Sequence, residues 1–427
     1  GGIQQEDLGA AINAVLQHQL IPSAQTMIKG SPINVRDKRP INFNKDVAPI
    51  LANKCLICHS RGGAAPWSMD NYEKIKGHSL MIREVVQTGR MPPWQADPYY
   101  GKFKGNFLLS PEERLVLVDW IDQGAFKAKG SDRLAQVRRP NNDGWSLGPP
   151  DLIFKLKDEQ QIASSGTDQY VLVEADKLVT EDLWVRGIYW KPGNAGIVHH
   201  GNLIVQPPVQ FDTLNETFRY SGMDMRMGQM IDGYSPGERP FTLPESTGHF
   251  IPKGSRLYFS IPYVPTRRPE RDHTQIGVYL YKNKPAHILS VFVISNRSIK
   301  IPPGMQEYRK SMEEIVKDNI TLFAIQPHMH YHGRSMRVSV EYPDGTSEVL
   351  VSVPRYKFQW QHRYILKKPK LVPARSRIIV ESSFDNSAQN PDNPDPSKEV
   401  LYGPSSSAEM FTCIIYYVKG NNEFKTD

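Results

Sequence analysis

Apolar positions along this chain keep a helical spacing first and then switch to short alternating runs. Between Asp7 and His18 they fall at Leu8, Ile12, Val15 and Leu16, one face of a helix. Pro22-Ser23 and a polar tail through Arg39-Pro40 come next. One helix cannot bury its own stripe, so this one is expected to pack on the domain after it or to belong to something upstream. Helical spacing returns in a short helix over Asn44–Leu51, then over Asn71–Val86 and Pro111–Gln123. Ser110 suits the N-cap of the last, with Pro111 at the first helical position and Glu112-Glu113 in the first turn. The prediction is an N-terminal helix and tail over 1–40 and a small all-α domain over 41–130.

Residues 131–150 read as a linker, charged at first and ending in Gly148-Pro149-Pro150. From Asp151 the period changes. β-Branched and aromatic runs recur at Tyr170–Val173, Leu183–Trp190, Val198–Val205, Arg256–Tyr263, Gln275–Tyr281 and Ile288–Ile294. A second batch comes at Ile320–Ile325, Met336–Tyr342, Glu348–Val353, Tyr364–Leu366, Arg377–Ser383 and Phe411–Val418. Each batch is large enough for an antiparallel β-sandwich, which predicts one over 151–298 and another over 299–427. The break is placed around Ile299–Lys317, where Pro302-Pro303-Gly304 precedes a charged, helix-like stretch.

A chain of 427 residues holds two to four domains, about what these periods predict. The net charge of +7 permits acidic partners, but Lys and Arg are scattered, so nucleic acid is not indicated. No apolar run approaches the roughly 20 residues of a membrane span.

The first chemistry lies at Lys54-Cys55-Leu56-Ile57-Cys58-His59. Two thiols three positions apart, with an imidazole directly after them, suit c-type haem: the thiols add to the vinyl groups and His59 reaches the iron. A redox dithiol and half a zinc site share the CxxC. The absence of a second CxxC disfavours zinc, and Cys413 is too far along the chain to suggest a disulfide framework. Gly89-Arg90-Met91-Pro92-Pro93-Trp94 offers Met91 as the axial thioether, with Met69, Met81 and His78 as rivals. A DVxPIL segment and MPPW resemble those of small cytochrome c domains. Haem c of this kind is attached outside the cytoplasm, so a periplasmic or extracellular protein is expected. No signal peptide is visible, and the numbering is expected to start after processing or truncation.

The second lies at Pro327-His328-Met329-His330-Tyr331-His332-Gly333. Alternation along a strand puts His328 and His330 on one face, where two imidazoles can share a metal; His332, next to the turn at Gly333, is left behind them. A polar strand end with surface histidines is the plainer reading. Ser405–Glu409 delivers Met410 to the start of the last strand, and two imidazoles with a thioether suit copper cycling between two oxidation states.

Val198-His199-His200, HxH before a glycine, and a late Glu409-Met410 opening a Tyr-Tyr strand together resemble the copper type II, ascorbate-dependent monooxygenases. These include the peptidylglycine and dopamine β-hydroxylating enzymes. The resemblance covers about residues 150–420 and extends to bacterial proteins fusing a haem c domain to this module. Some of those carry a thioredoxin-like domain ahead of the haem, whose last helix and tail residues 6–33 would fit. The resemblance implies an all-α cytochrome c domain and then two all-β antiparallel jelly-roll sandwiches, each with one copper, across a wide solvent gap. The oxygen-activating copper maps to His328, His330 and Met410. The electron-storing copper maps to His199, His200 and one further histidine.

Here the chain departs from the pattern. Pro262 stands where that further histidine belongs, and proline binds no metal. His249 or the methionines of Gly222–Met230 are the substitutes on offer. Adjacent His199 and His200 point to opposite faces of a regular strand, so sharing a metal requires a bulge. The positions that hold a substrate carboxylate in the peptide-hydroxylating members are Gln326, Thr412 and Ile414, so that charged clamp is absent. The expectation is an O2-activating copper monooxygenase fed through its own haem by a redox partner or ascorbate, acting on a small molecule or peptide. The alternative is a non-catalytic electron-transfer or assembly subunit on a degenerate copper scaffold.

Overall fold

The structure, a computed structural model, describes residues 7–19, 39–137, 144–166, 169–198, 200–208, 228–237, 241–420 and 424. Gly1–Pro40 forms one compact unit and Ile41–Asp427 another. In the first, Asp7–Leu16 is helical, and Ile12, Val15 and Leu16 of its apolar stripe are exposed. No described helix is long and apolar enough to cross a membrane.

The second unit opens with a helical lobe. A π-turn over Phe43–Val47 leads into Ala48–Lys54, and the helix ends at Cys55. The periodic run from Asn71 breaks into Tyr72–Gly77 and Ser79–Gln87, with His78 between them outside helical geometry. Pro111–Asp122 carries the predicted cap: Glu113 N–H donates to Ser110 Oγ, and Ser110 N–H to the Glu113 carboxylate. These elements close over Phe43, Leu51, Ile75, Leu117 and Trp120.

The rest is mostly antiparallel sheet. The first sandwich packs the sheet containing Leu183–Lys191, Thr247–Ile251 and Gln275–Leu280 against Gln169–Glu174, Arg256–Tyr263, Gly201–Gln206 and Gln229–Tyr234. The second packs Ser290–Asn296, Phe411–Lys419, Ile320–His328 and Tyr364–Val372 against Tyr308–Ile315, Arg377–Phe384, Gly333–Glu341 and Ser347–Val353.

Two expectations are corrected. Ser290–Asn296, expected in the first sandwich, pairs with Phe411–Lys419 in the second. The charged stretch read as helix-like is the strand Tyr308–Ile315, paired along its length with Arg377–Phe384. It is a sheet edge with most side chains exposed, where Lys and Glu discourage pairing with another chain.

Phe411–Lys419 explains its own near-continuous apolarity. Phe411, Cys413 and Ile415 face the core of the second sandwich, whereas Ile414, Tyr416 and Val418 join Met230 and Leu243 of the first. A strand buried on both faces loses the apolar-polar alternation.

Candidate copper and haem sites

Ile320–His328 ends at the first histidine of the HxHxH loop, where His328 pairs with Thr412 on the neighbouring strand. Continuing that register sets Met410 level with His330. Met329 points into the core, so His328 and His330 share the opposite side, their ring centroids 5.2 Å apart and their planes at 83°. His328 Nδ1–H donates to Gln361 Oε1 at 2.6 Å, and His330 Nδ1–H to the Ala408 carbonyl at 3.2 Å. The His328 ring is thereby held in the tautomer that leaves Nε2 as a lone pair, the usual arrangement behind a metal-bound histidine, while the His330 ring meets the backbone of both Ala408 and Ser405. Burial, with the neighbouring His328 as a second cause, pushes His330 down to about 3; burial pushes His328 down to about 4. Both are neutral near pH 7. Surface histidines do not look like this, so the plainer reading fails for His330 and His332, which are buried.

The loop is held by Glu409, a residue whose role the sequence did not reveal. Its fully buried carboxylate accepts the backbone N–H groups of His330, His332 (3.0 Å) and Met410 (2.8 Å). It also lies 3.6 Å from His332 Nδ1, while His332 Nε2 reaches Asn393 at 3.3 Å. Burial raises the pKa of Glu409 against these bonds. One carboxylate thus ties the HxHxH loop to the strand that carries Met410. Two neutral imidazoles, with a methionine at the start of the neighbouring strand, are donor types that suit copper.

The first-sandwich site is different. His199 lies outside the described residues, as do the methionines Met223, Met225 and Met227. Asn202 pairs with Ser260 and Val198 bridges Tyr263, four residues on one strand against three on the other. This stretch therefore carries one residue more than its neighbour, the bulge that a shared metal requires. His249 is buried beside Asp232, Ile188 and Leu243, and Met230 is in the apolar layer between the sandwiches. Among the described residues no three His, Cys, Asp or Glu side chains converge to hold a metal. Of the donors expected here, the described residues place only His200, His249 and Met230, and they do not bring them together.

Among the described residues the two sandwiches meet closely where the resemblance implies a wide solvent gap. His200 and His330 meet the same Phe358 ring edge-on, at centroid distances of 5.5 and 5.6 Å. Nearby, Arg363 of the second sandwich makes a buried ion pair with Asp232 of the first, which also accepts Trp190 Nε1–H at 3.1 Å. Ser235 Oγ–H donates to the Gln361 carbonyl at 2.8 Å. Gln326, Thr412 and Ile414 serve this packing: Gln326 accepts from Tyr416 OH, Thr412 meets Ser295, and Ile414 joins the apolar layer.

In the helical lobe Cys55, Cys58 and His59 share the turn after Ala48–Lys54, and His59 Nδ1–H donates to the Trp67 carbonyl at 3.0 Å. Nε2 is again left for a ligand. Burial, and then the adjacent Cys58, pushes Cys55 up to about 12; burial pushes Cys58 up to about 11. A redox CxxC works through a lowered thiol pKa, and burial here acts in the opposite direction. Met91 is half-buried on its loop. Of its rivals, Met69 is in the lobe's core, Met81 is exposed, and His78 stacks on Trp67 at 4.0 Å. Gly237, at φ +82°, comes so close to Cys58 that a Cβ there would lie 2.9 Å from Sγ.

Residues 284–426 match the family model of the copper type II ascorbate-dependent monooxygenase C-terminal domain. That span contains His328, His330 and Met410, and the family it is similar to is one of copper-dependent monooxygenases. No curated protein matches the chain. Among solved structures the chain is similar to the major capsid protein P2 of bacteriophage PM2, with TM-score 0.27, 8% identity and coverage of 63% of this chain and 97% of that one. It is also similar to the VP2 subviral particle of infectious bursal disease virus, with TM-score 0.19, 10% identity and coverage of 65% and 75%. Neither likeness bears on the site.

Proposed function

We propose that the chain is a haem c-containing copper monooxygenase-like oxidoreductase, activating O2 at copper on His328, His330 and Met410 with electrons delivered through the haem. The observation that carries this reading is the pair of buried neutral imidazoles, each with Nδ1–H committed to a fixed acceptor, inside the span that matches the family. When bound, copper supplies one-electron chemistry toward O2 and a substrate C–H bond, and haem supplies a nearby electron store. Gln361 and Ala408 orient the two rings, Glu409 holds their loop, and the surrounding burial keeps both histidines unprotonated. Cys55, Cys58 and His59 would hold the haem, with Met91 as the thioether that would complete its ligands.

O2 and ascorbate fit the family, and ascorbate or a redox protein would recharge the haem. With haem c attached outside the cytoplasm, this reading puts the protein in the periplasm or outside the cell. The substrate is a small molecule or peptide, and no charged group at Gln326, Thr412 or Ile414 would grip a carboxylate. Pro262 in place of the further histidine favours a second reading, a non-catalytic electron-transfer or assembly subunit that kept the scaffold.

Metal content and rapid mixing separate the two. Haem-loaded protein should hold about one copper per chain after dialysis, lost in His328→Ala. Fully reduced wild type mixed with O2 should show haem oxidation that disappears in His328→Ala. Identical traces in both would favour the non-catalytic subunit.

A further inference from the structure

The loop after Met91 leaves the helical lobe and docks on the second sandwich. Trp94, Ala96 and Phe103 pack in that sandwich's core, and Asp97 N–H donates to the Ser352 carbonyl at 2.8 Å. At the start of this strap, His362 Nε2–H donates to the Pro93 carbonyl at 2.7 Å. The preceding residue, Gln361, accepts His328 Nδ1–H through Oε1 at 2.6 Å. Gln361, His362 and Arg363 are consecutive, polar and buried, a run that folding tolerates only when each finds a partner.

Both side chains are held firmly. The His362 ring lies among Trp94, Trp360 and Tyr364, at centroid distances of 5.8, 6.4 and 6.3 Å. The Gln361 amide donates to the Phe358 carbonyl at 3.1 Å, and the Gln361 backbone carbonyl accepts from Ser235. From Met91 to His328 the connection therefore runs along covalent bonds and two short hydrogen bonds, without a jump through space. Electron tunnelling falls off more steeply across a gap than along bonds.

We propose that Met91-Pro92-Pro93, His362, Gln361 and His328 form the electron path from the haem to the copper, with His362 as the positioning residue that joins the two domains. The path rests on the function proposed above. One electron moves at a time: the haem iron passes from ferrous to ferric, the copper from Cu(II) to Cu(I), and each ring proton stays on its nitrogen.

The test uses the full haem- and copper-loaded chain without O2. The haem is reduced by a light flash, and electron transfer is followed by haem absorbance and by loss of the Cu(II) resonance. His362→Phe keeps an aromatic ring but removes the donor, and should slow transfer by about tenfold or more. Its haem spectrum, copper content and resting Cu(II) signal should match wild type. His362→Gln, whose amide can reach the Pro93 carbonyl, should recover most of the rate. In metal-free protein, nitrogen NMR should show His362 protonated on Nε2 and His328 on Nδ1. The opposite tautomer at either ring overturns the path. So does a wild-type rate in His362→Phe, which would leave haem-to-copper transfer itself standing. Absence of transfer in wild type would remove the proposed function and the path with it.

Discussion

The two sandwiches each bring histidine to the end of a strand, but among the described residues the second also gives each ring a fixed acceptor. Behind His328 and His330 stand acceptors from two separate segments, Gln361 and Ala408, and Glu409 ties their loop to the neighbouring strand. His200 meets the Phe358 ring of the second sandwich edge-on, and Pro262 stands where the resemblance expects the further histidine. The difference teaches that histidines in sequence are less than half of a site. What aims them, and which face the register gives them, decides whether they can hold an ion.

The comparison breaks most sharply at Glu409. Glu409→Ala leaves three backbone N–H groups at the loop without their acceptor, at about 1–3 kcal/mol for each that stays buried and unpaired. A total loss of about 3 kcal/mol or more is expected in denaturant unfolding, together with loss of copper. Glu409→Gln, which keeps the shape and one acceptor oxygen, should fall between. A Glu409→Ala protein as stable as wild type would show that the loop is held by other means.

Gln361→Leu asks how much the acceptor behind a ligand matters. Copper affinity at the second site should weaken about 10–100-fold in a competition with a chelator, because His328 loses its orientation. An unchanged affinity would mean that packing alone aims the ring.

Pro262→His works from the other side by returning an imidazole where the resemblance expects one. If the missing ligand is what limits the first site, copper content should rise from about one toward two per chain. A content that stays near one would place the limit elsewhere, for instance in Phe358 packed against His200.

The smallest effect is expected far from both sites. Ser110→Ala removes the helix cap in the helical lobe and should cost about 1 kcal/mol in thermal unfolding, with no change in copper content. A change in copper there would show that the lobe and the second sandwich respond as one body.

Local chemistry made several features readable from residues alone. CxxCH falls on one turn because its spacing is that of a turn, and Ser110 caps its helix because both partners lie within four residues. His328 and His330 share a side because a strand alternates. Most of the strands announced themselves by β-branched runs. Tyr308–Ile315 did not, because an exposed edge carries the charges of a surface helix, and its pairing with Arg377–Phe384 is a long-range fact. The same holds for Ser290–Asn296, whose partner lies at the far end of the chain. Gln361, Glu409, His362 and the Asp232–Arg363 pair look like ordinary polar residues in sequence. Their roles come from burial beside partners 33 to 269 positions away, and a single chain of letters does not record which distant groups folding will bring together.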